Sequence, residues 1–152
     1  MIILIFDLDD TILMSNTYSK YSDIKPDEYM KYILDGINCK KFIYTNGTYG
    51  HAKEILNNMK LTNLFTAVYA RDTIPAMKPY EVSFRFVEKD IRKHIDQKNK
   101  YYFFEDRLEN LEAAKRRGWI TIWISVHFID KPIYVDYAFP NIHTALMYFV
   151  IN

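Results

Sequence analysis

The chain opens with MIILIFDLDDTIL, residues 1–13. The apolar run Ile2–Phe6 has the character of a buried strand, yet it leads straight into Asp7, Asp9 and Asp10. Like charges so close together repel, and desolvation worsens the repulsion. A strand that ends this way needs a positive partner nearby, or chemistry that uses the carboxylates.

Strand character returns at residues 41–45 (KFIYT), 67–70, 101–104 and Ile120–Ile124, and a short edge strand is expected at 134–138. Helical stretches lie between these runs. Pro26 suits the first turn of a helix over 26–34. Within 49–60, Ala52, Ile55, Leu56 and Met59 recur at helical spacing. After Pro79 a long helix is expected with Tyr80, Phe84, Val87, Ile91 and Ile95 on one face. Residues 108–117 end in Lys115, Arg116 and Arg117, which suit the negative end of a helix dipole. Gly118 stands where a left-handed cap is wanted. A last helix is expected from about Asn141. Strands alternating with helices over short connections predict an α/β fold. The expected form is a three-layer, Rossmann-like, mostly parallel sheet with helices on both faces.

The composition narrows the classes. The 152 residues suit one domain with a full core, read here as 1–152 with 14–40 as a short insert. Apolar residues at 49% and charged ones at 26% exclude a mainly disordered chain. A net charge of +1 gives no global pull toward nucleic acid or membrane. The first apolar run stops at Phe6 without a basic flank, which fits neither a signal peptide nor a membrane span. The lone Cys39 has no partner for an internal disulfide, so a reducing, cytoplasmic setting is expected. Cys39 itself reads as a small buried filler.

In a parallel α/β sheet, active groups collect at the carboxyl ends of the strands. Asp7, Asp9 and Asp10 follow the first strand, and Thr45 and Asn46 follow the second. Lys78 follows the third, and Glu105 and Asp106 follow the fourth. Mg²⁺ takes hard oxygen ligands, commonly one or two carboxylates with water and phosphate oxygens. Such a cation would offset the repulsion among the carboxylates, and a lysine adds a point charge for a phosphate. One aspartate could form an aspartyl-phosphate while another transfers protons.

These residues carry a resemblance. Asp7-Leu8-Asp9-Asp10-Thr11, Thr45-Asn46, Lys78-Pro79 and Glu105-Asp106 occur in the order of the four motifs of the haloacid dehalogenase-like (HAD) phosphohydrolase superfamily. The resemblance covers about residues 1–125. TNGTYGHAKEILNNMKLTNLF and FFEDRLENLEAAKRRGW look most like the pyrimidine 5′-nucleotidase branch. It implies that Asp7 is the nucleophile and a Mg²⁺ ligand. Asp9 would be the general acid and base, its backbone carbonyl also meeting the metal. Thr45 and Asn46 would hold the phosphoryl group, Lys78 would balance its charge and that of Asp7, and Asp106 would complete the carboxylate ligands. Glu105 and Asn110 would stand behind them. True dehalogenases resemble the pattern but lack the acid at position 9, so a phosphate ester is the expected substrate.

Relatives in that branch carry a helical cap between the first two motifs. Here 14–40 offers room for one helix and loops, so the site should lie open. The substrate is then a phosphorylated small molecule or macromolecule, with the macromolecule or a second copy of the chain serving as the lid. Another class remains: a receiver-like or catalytically silent phosphate- and metal-binding module. Receiver domains carry their phosphoacceptor on the third strand, which differs from the order here. Asp10 is expected to hydrogen-bond its own loop. His51 reads as an ordinary surface residue of the helix after Thr45. The basic clusters at 92–100 and 115–117 read as solvated helix ends.

Overall fold

The structure, a computed structural model, describes residues 1–151. Six parallel strands form one sheet in the order β3-β2-β1-β4-β5-β6. They are β1 (Ile2–Phe6), β2 (Lys40–Tyr44), β3 (Ala67–Tyr69), β4 (Lys100–Glu105), β5 (Ile120–Ile124) and β6 (Tyr137–Phe139). The helices are α1 (Glu28–Gly36), α2 (Tyr49–Met59), α3 (Glu81–His94), α4 (Leu108–Arg116) and α5 (Ile142–Ile151). This is the Rossmann-like α/β arrangement expected, without a large cap.

Alternation along the strands sorts the core into two layers. Leu4 and Phe6 of β1 face Met30, Leu34, Ile55 and Leu146, from α1, α2 and α5. Ile3 and Ile5 face the opposite way, toward Phe84, Val87, Ile91 and Leu111, from α3 and α4. From Ile3 to Phe6 both faces of β1 are buried, which explains an apolar run without a polar face.

The central strand decides where chemistry can collect. β1 pairs with β2 on one side and β4 on the other, so the winding direction changes there. The ladder continues one bond further, Asp7 N–H donating to the Phe104 carbonyl at 2.9 Å. Asp7 and the Glu105–Asp106 pair therefore emerge side by side at the switch point, the usual crevice of such folds.

Four expectations need correction. The final strand begins at Tyr137 rather than 134, because the Asp136 carboxylate takes the Thr121 N–H at 2.9 Å and Thr121 Oγ1 donates to the Tyr134 carbonyl at 2.7 Å. One backbone bond, Asp136 N–H to the Thr121 carbonyl at 3.0 Å, accompanies these side-chain bonds before the ladder begins. Tyr80 is extended, precedes α3 and is exposed, so the buried stripe of α3 starts at Phe84. The α1 helix starts at Glu28, where Asp27 caps it by accepting from Met30 N–H. Cys39 is only half-buried. Its neighbour Lys41 is buried instead, with Nζ donating to the carbonyls of Ile37 at 2.6 Å and Cys39 at 3.0 Å.

The segment 14–40 is anchored to the body through the buried residues Ile24, Met30, Ile33 and Leu34. It contains two short 3₁₀ turns, Ser15–Thr17 and Tyr21–Asp23, before α1. Met30, Ile33 and Leu34 of α1 are buried in the core, and His143 of α5 pairs with Asp27 at 2.9 Å. Among the described residues, no helix is long and apolar enough to cross a membrane.

Candidate active site

A cavity of about 160 Å³ opens at the carboxyl ends of β1, β2 and β4. Asp7, Asp9, Asp10, Thr45, Asn46, Gly47, Lys78, Asp106, Arg107 and Asn110 line it. Larger hollows of about 530 and 520 Å³ lie along α1 and α2, and neither gathers these carboxylates. Chemistry, rather than size, identifies the site.

Lys78 is its electrostatic centre. The side chain is 1% exposed, and Nζ donates to Asp7 Oδ1 at 3.0 Å, Glu105 Oε1 at 2.8 Å and the Tyr44 carbonyl at 2.8 Å. These bonds use the three donors of an ammonium. The rings of Tyr44 and Phe103 flank it, with centroids 5.0 and 5.5 Å from Nζ. Burial alone would discharge the lysine, but the Asp7 and Glu105 carboxylates outweigh it and push the pKa above the ordinary value. Asn46 fixes the backbone of Lys78: its Oδ1 accepts from Lys78 N–H at 2.9 Å, and its Nδ2 donates to the Lys78 carbonyl at 3.0 Å. Asn46 thus clasps Lys78 as well as lining the cavity.

Glu105 is fully buried and saturated. Oε1 accepts from Lys78 Nζ and from Asn110 Nδ2 at 3.0 Å, while Oε2 accepts the backbone N–H groups of Asp106 at 2.9 Å and Arg107 at 3.1 Å. Burial pushes its pKa up and Asp7 adds to this, against the pull of Lys78. The longer Glu reaches Lys78 and still folds back on its own loop.

Asp7, Glu105 and Asp106 offer carboxylate oxygens within 4.8 Å of one another, a hard-oxygen set suited to a divalent cation. With Glu105 saturated, Asp7 and Asp106 are the two that fit best as ligands. Thr11 bridges them, its hydroxyl lying 3.1 Å from Asp7 Oδ2 and 3.3 Å from Asp106 Oδ1. Burial pushes Asp106 up to about 10, helped by hydrogen bonding and charge from Asp7 and Glu105. Thr45, 2% exposed, accepts Gly47 N–H on Oγ1 at 3.0 Å, which sets the turn into α2. Asp10 holds the loop as expected: at φ 61° it turns back, and its Oδ1 accepts from Ser15 N–H and Oγ, both at 2.7 Å.

His51 corrects the reading of a plain surface residue. Its Nε2 lies 2.8 Å from Asp9 Oδ1, and its Nδ1 lies 2.7 Å from the Tyr21 hydroxyl. A histidine in the first turn of the helix after Thr45 was the available signal; Tyr21 carried none. Arg107 also borders the cavity, paired with Glu109 at 2.8 Å.

A family model described as haloacid dehalogenase-like hydrolase matches residues 14–124. No curated protein matches the chain. Among solved structures, it is similar to the core domain of a candidate phosphoglycolate phosphatase from Streptococcus pneumoniae, with TM-score 0.65 and 17% identity over 99% of this chain and 96% of that one. It is also similar to YfnB of Bacillus subtilis, a candidate HAD-hydrolase bound to magnesium, with TM-score 0.64 and 16% identity over 82% and 54%. A third is the L-2-haloacid dehalogenase of Xanthobacter autotrophicus with chloropropionic acid covalently bound, with TM-score 0.61 and 16% identity over 86% and 63%. The chain spans less than two thirds of the length of these last two. At such identities the structures speak for the fold, and the family match speaks for descent: the chain belongs to the haloacid dehalogenase-like hydrolases.

Proposed function

We propose that this hydrolase is a magnesium-dependent phosphatase acting on phosphate monoesters through an aspartyl-phosphate at Asp7. The observation that carries the reading is the Asp7–Asp106 carboxylate pair, held at the switch point beside a buried, charged lysine with Asp9 across the cavity. Asp7, Asp106 and the backbone carbonyl of Asp9 are the groups suited to hold Mg²⁺, which would supply positive charge for the phosphoryl oxygens. Thr45 and the turn at Asn46 and Gly47 line the place for those oxygens. Lys78 acts through Asp7, orienting its carboxylate and offsetting its charge.

The bonds balance over two steps. Asp7 forms a bond to phosphorus as the ester P–O bond breaks, and Asp9 gives its proton to the leaving oxygen. Asp9 then takes a proton from water as the water oxygen bonds to phosphorus. The bond to Asp7 breaks, phosphate departs, and both aspartates are restored. The acid at position 9 favours an ester over a carbon–halogen bond, whose halide needs no proton. Nucleotides and phosphorylated macromolecules are the substrate classes that the resemblance and the open site suggest. Turnover of p-nitrophenyl phosphate with Mg²⁺ and with chelator tests the reading. Hydrolysis that needs Mg²⁺ is expected; equal rates under both conditions contradict it.

A further inference from the structure

Asp9 does not stand alone at the cavity. His51, from the first turn of α2, meets its Oδ1 at 2.8 Å, and Tyr21, from the 3₁₀ turn Tyr21–Asp23, meets the far side of the imidazole at 2.7 Å. The chemistry of the groups gives this chain a direction. Where Nε2–H donates to Asp9 Oδ1, Nδ1 accepts from the Tyr21 hydroxyl and Oδ2 is the oxygen left to exchange the proton. Donation to Oδ1 turns Oδ2 toward the turn of Thr45 and Gly47. A Cβ built on Gly47 would lie 3.5 Å from Asp9 Oδ2, 3.3 Å from Thr45 Oγ1 and 3.1 Å from His51 Cδ2. The glycine leaves room for the histidine to reach the aspartate.

Fold stability gives a weak account of this chain. The side chains of His51 and Asp9 are 26% and 35% exposed, and partly exposed pairs contribute little. Nor does the chain bury Tyr21, which is 38% exposed. What it does is fix one oxygen of the residue that exchanges protons.

We propose that His51, held by Tyr21, is a positioning residue for Asp9, confining proton transfer to Oδ2 and aiming that oxygen at the leaving group. Tyr21 lies within the segment 14–40 that replaces a cap. The shortened insert thus reaches the acid and base through one hydrogen-bonded side chain, without covering the site. The proposal rests on the phosphatase reading for its catalytic consequence, though the hydrogen-bond chain can be tested without turnover.

The diagnostic is dependence on the leaving group. A p-nitrophenolate leaves with little proton assistance, whereas an alkoxide needs the acid. His51→Ala is expected to lower kcat/KM for an alkyl phosphate such as glycerol phosphate by ~100-fold. It should lower kcat/KM for p-nitrophenyl phosphate by less than ~10-fold, with KM for both esters little changed. His51→Gln restores a donor near the Nε2 position and should recover most of the loss. Tyr21→Phe keeps the ring and should fall between. Melting curves show that each variant is folded, and the glutamine and phenylalanine variants keep the test open should the alanine variant unfold. Equal losses on the two esters, or none, overturn the proposal. Imidazole ¹⁵N spectra of the wild-type chain should show the Nε2-protonated tautomer, and Asp9→Ala should disturb it. A mixture of tautomers indifferent to Asp9 overturns the hydrogen-bond chain itself. A wild-type chain with this tautomer but no turnover of any ester would instead strike the phosphatase reading and the catalytic role with it.

Discussion

Glu105 accepts four hydrogen bonds at a place fully closed to solvent. Removing a partner from a buried ionic network leaves charge and N–H groups uncompensated. Glu105→Ala would leave Lys78 with Asp7 as its one carboxylate and strand Asn110 and two backbone donors. A loss of about 3–5 kcal/mol is expected in urea unfolding; a loss under about 1 kcal/mol would show that the network does not support the fold. Asp106 makes a different claim. It is pushed up to about 10 from an ordinary 3.8, so the metal-free chain holds a proton there near neutral pH. Stability from this group is complete below the ordinary value and is lost as pH rises toward about 10. Mg²⁺ must expel that proton to use the carboxylate. Calorimetric titration of Mg²⁺ near pH 7, in buffers of different ionisation enthalpy, should reveal proton release. Binding heats independent of buffer would contradict this.

The turn between β2 and α2 shows how an element imposes geometry. Thr45 extends the sheet by donating its N–H to the Tyr69 carbonyl at 2.8 Å, and its Oγ1 receives Gly47 N–H. Thr48 caps α2 by accepting from His51 N–H at 3.2 Å. A methyl group at Gly47 would press on His51 and Thr45, the two side chains that flank Asp9 Oδ2. Gly47→Ala is thus expected to lower kcat by roughly 10–100-fold through misplacement, while the thermal midpoint hardly moves. Full activity would mean that the turn tolerates the shift. At this scale much was legible from sequence. Buried strands such as Ile2–Phe6 and Ile120–Ile124 stand out as runs rich in apolar and β-branched residues. Gly118, at φ 81°, marks the end of α4 as its position implied. The rim residues were legible because their order survives even though the fold brings residues 7 and 106 together. Tyr80 and the start of β6 were not, since side-chain and backbone bonds override periodicity there. The Tyr21–His51–Asp9 chain could not be read, because it joins three elements through single contacts that leave no pattern in sequence.

At the scale of the molecule, the question is access. The segment 14–40 places Ile24, Met30, Ile33 and Leu34 in the core, with α1 packed near α5, and sends Tyr21 toward the site. The cavity of about 160 Å³ falls short of the ~300–1,000 Å³ usual for small-molecule pockets. It can take a phosphoryl group, but it offers little grip on a nucleobase, so remote binding energy should be small. Pyrimidine and purine monophosphates are therefore expected to differ by less than ~10-fold in kcat/KM, compared at a measured molar mass. A monomer preferring one of them by ~100-fold, about 2.7 kcal/mol, would show that 14–40 acts as a specificity lid. Terminally phosphorylated oligonucleotides and phosphopeptides belong in the same comparison, because a large substrate could cover the site itself.

Everything turns on Asp7 as the nucleophile of the first step. The direct measurement is to mix the chain with Mg²⁺ and an excess of ester, quench in acid within the first turnover, and weigh the protein. One phosphoryl group is expected, located by peptide mapping to the segment containing Asp7 and absent from Asp7→Asn, whose turnover should fall by roughly 10³-fold or more. A phosphoryl group on another residue, or Asp7→Asn with near-normal kcat, would contradict the account.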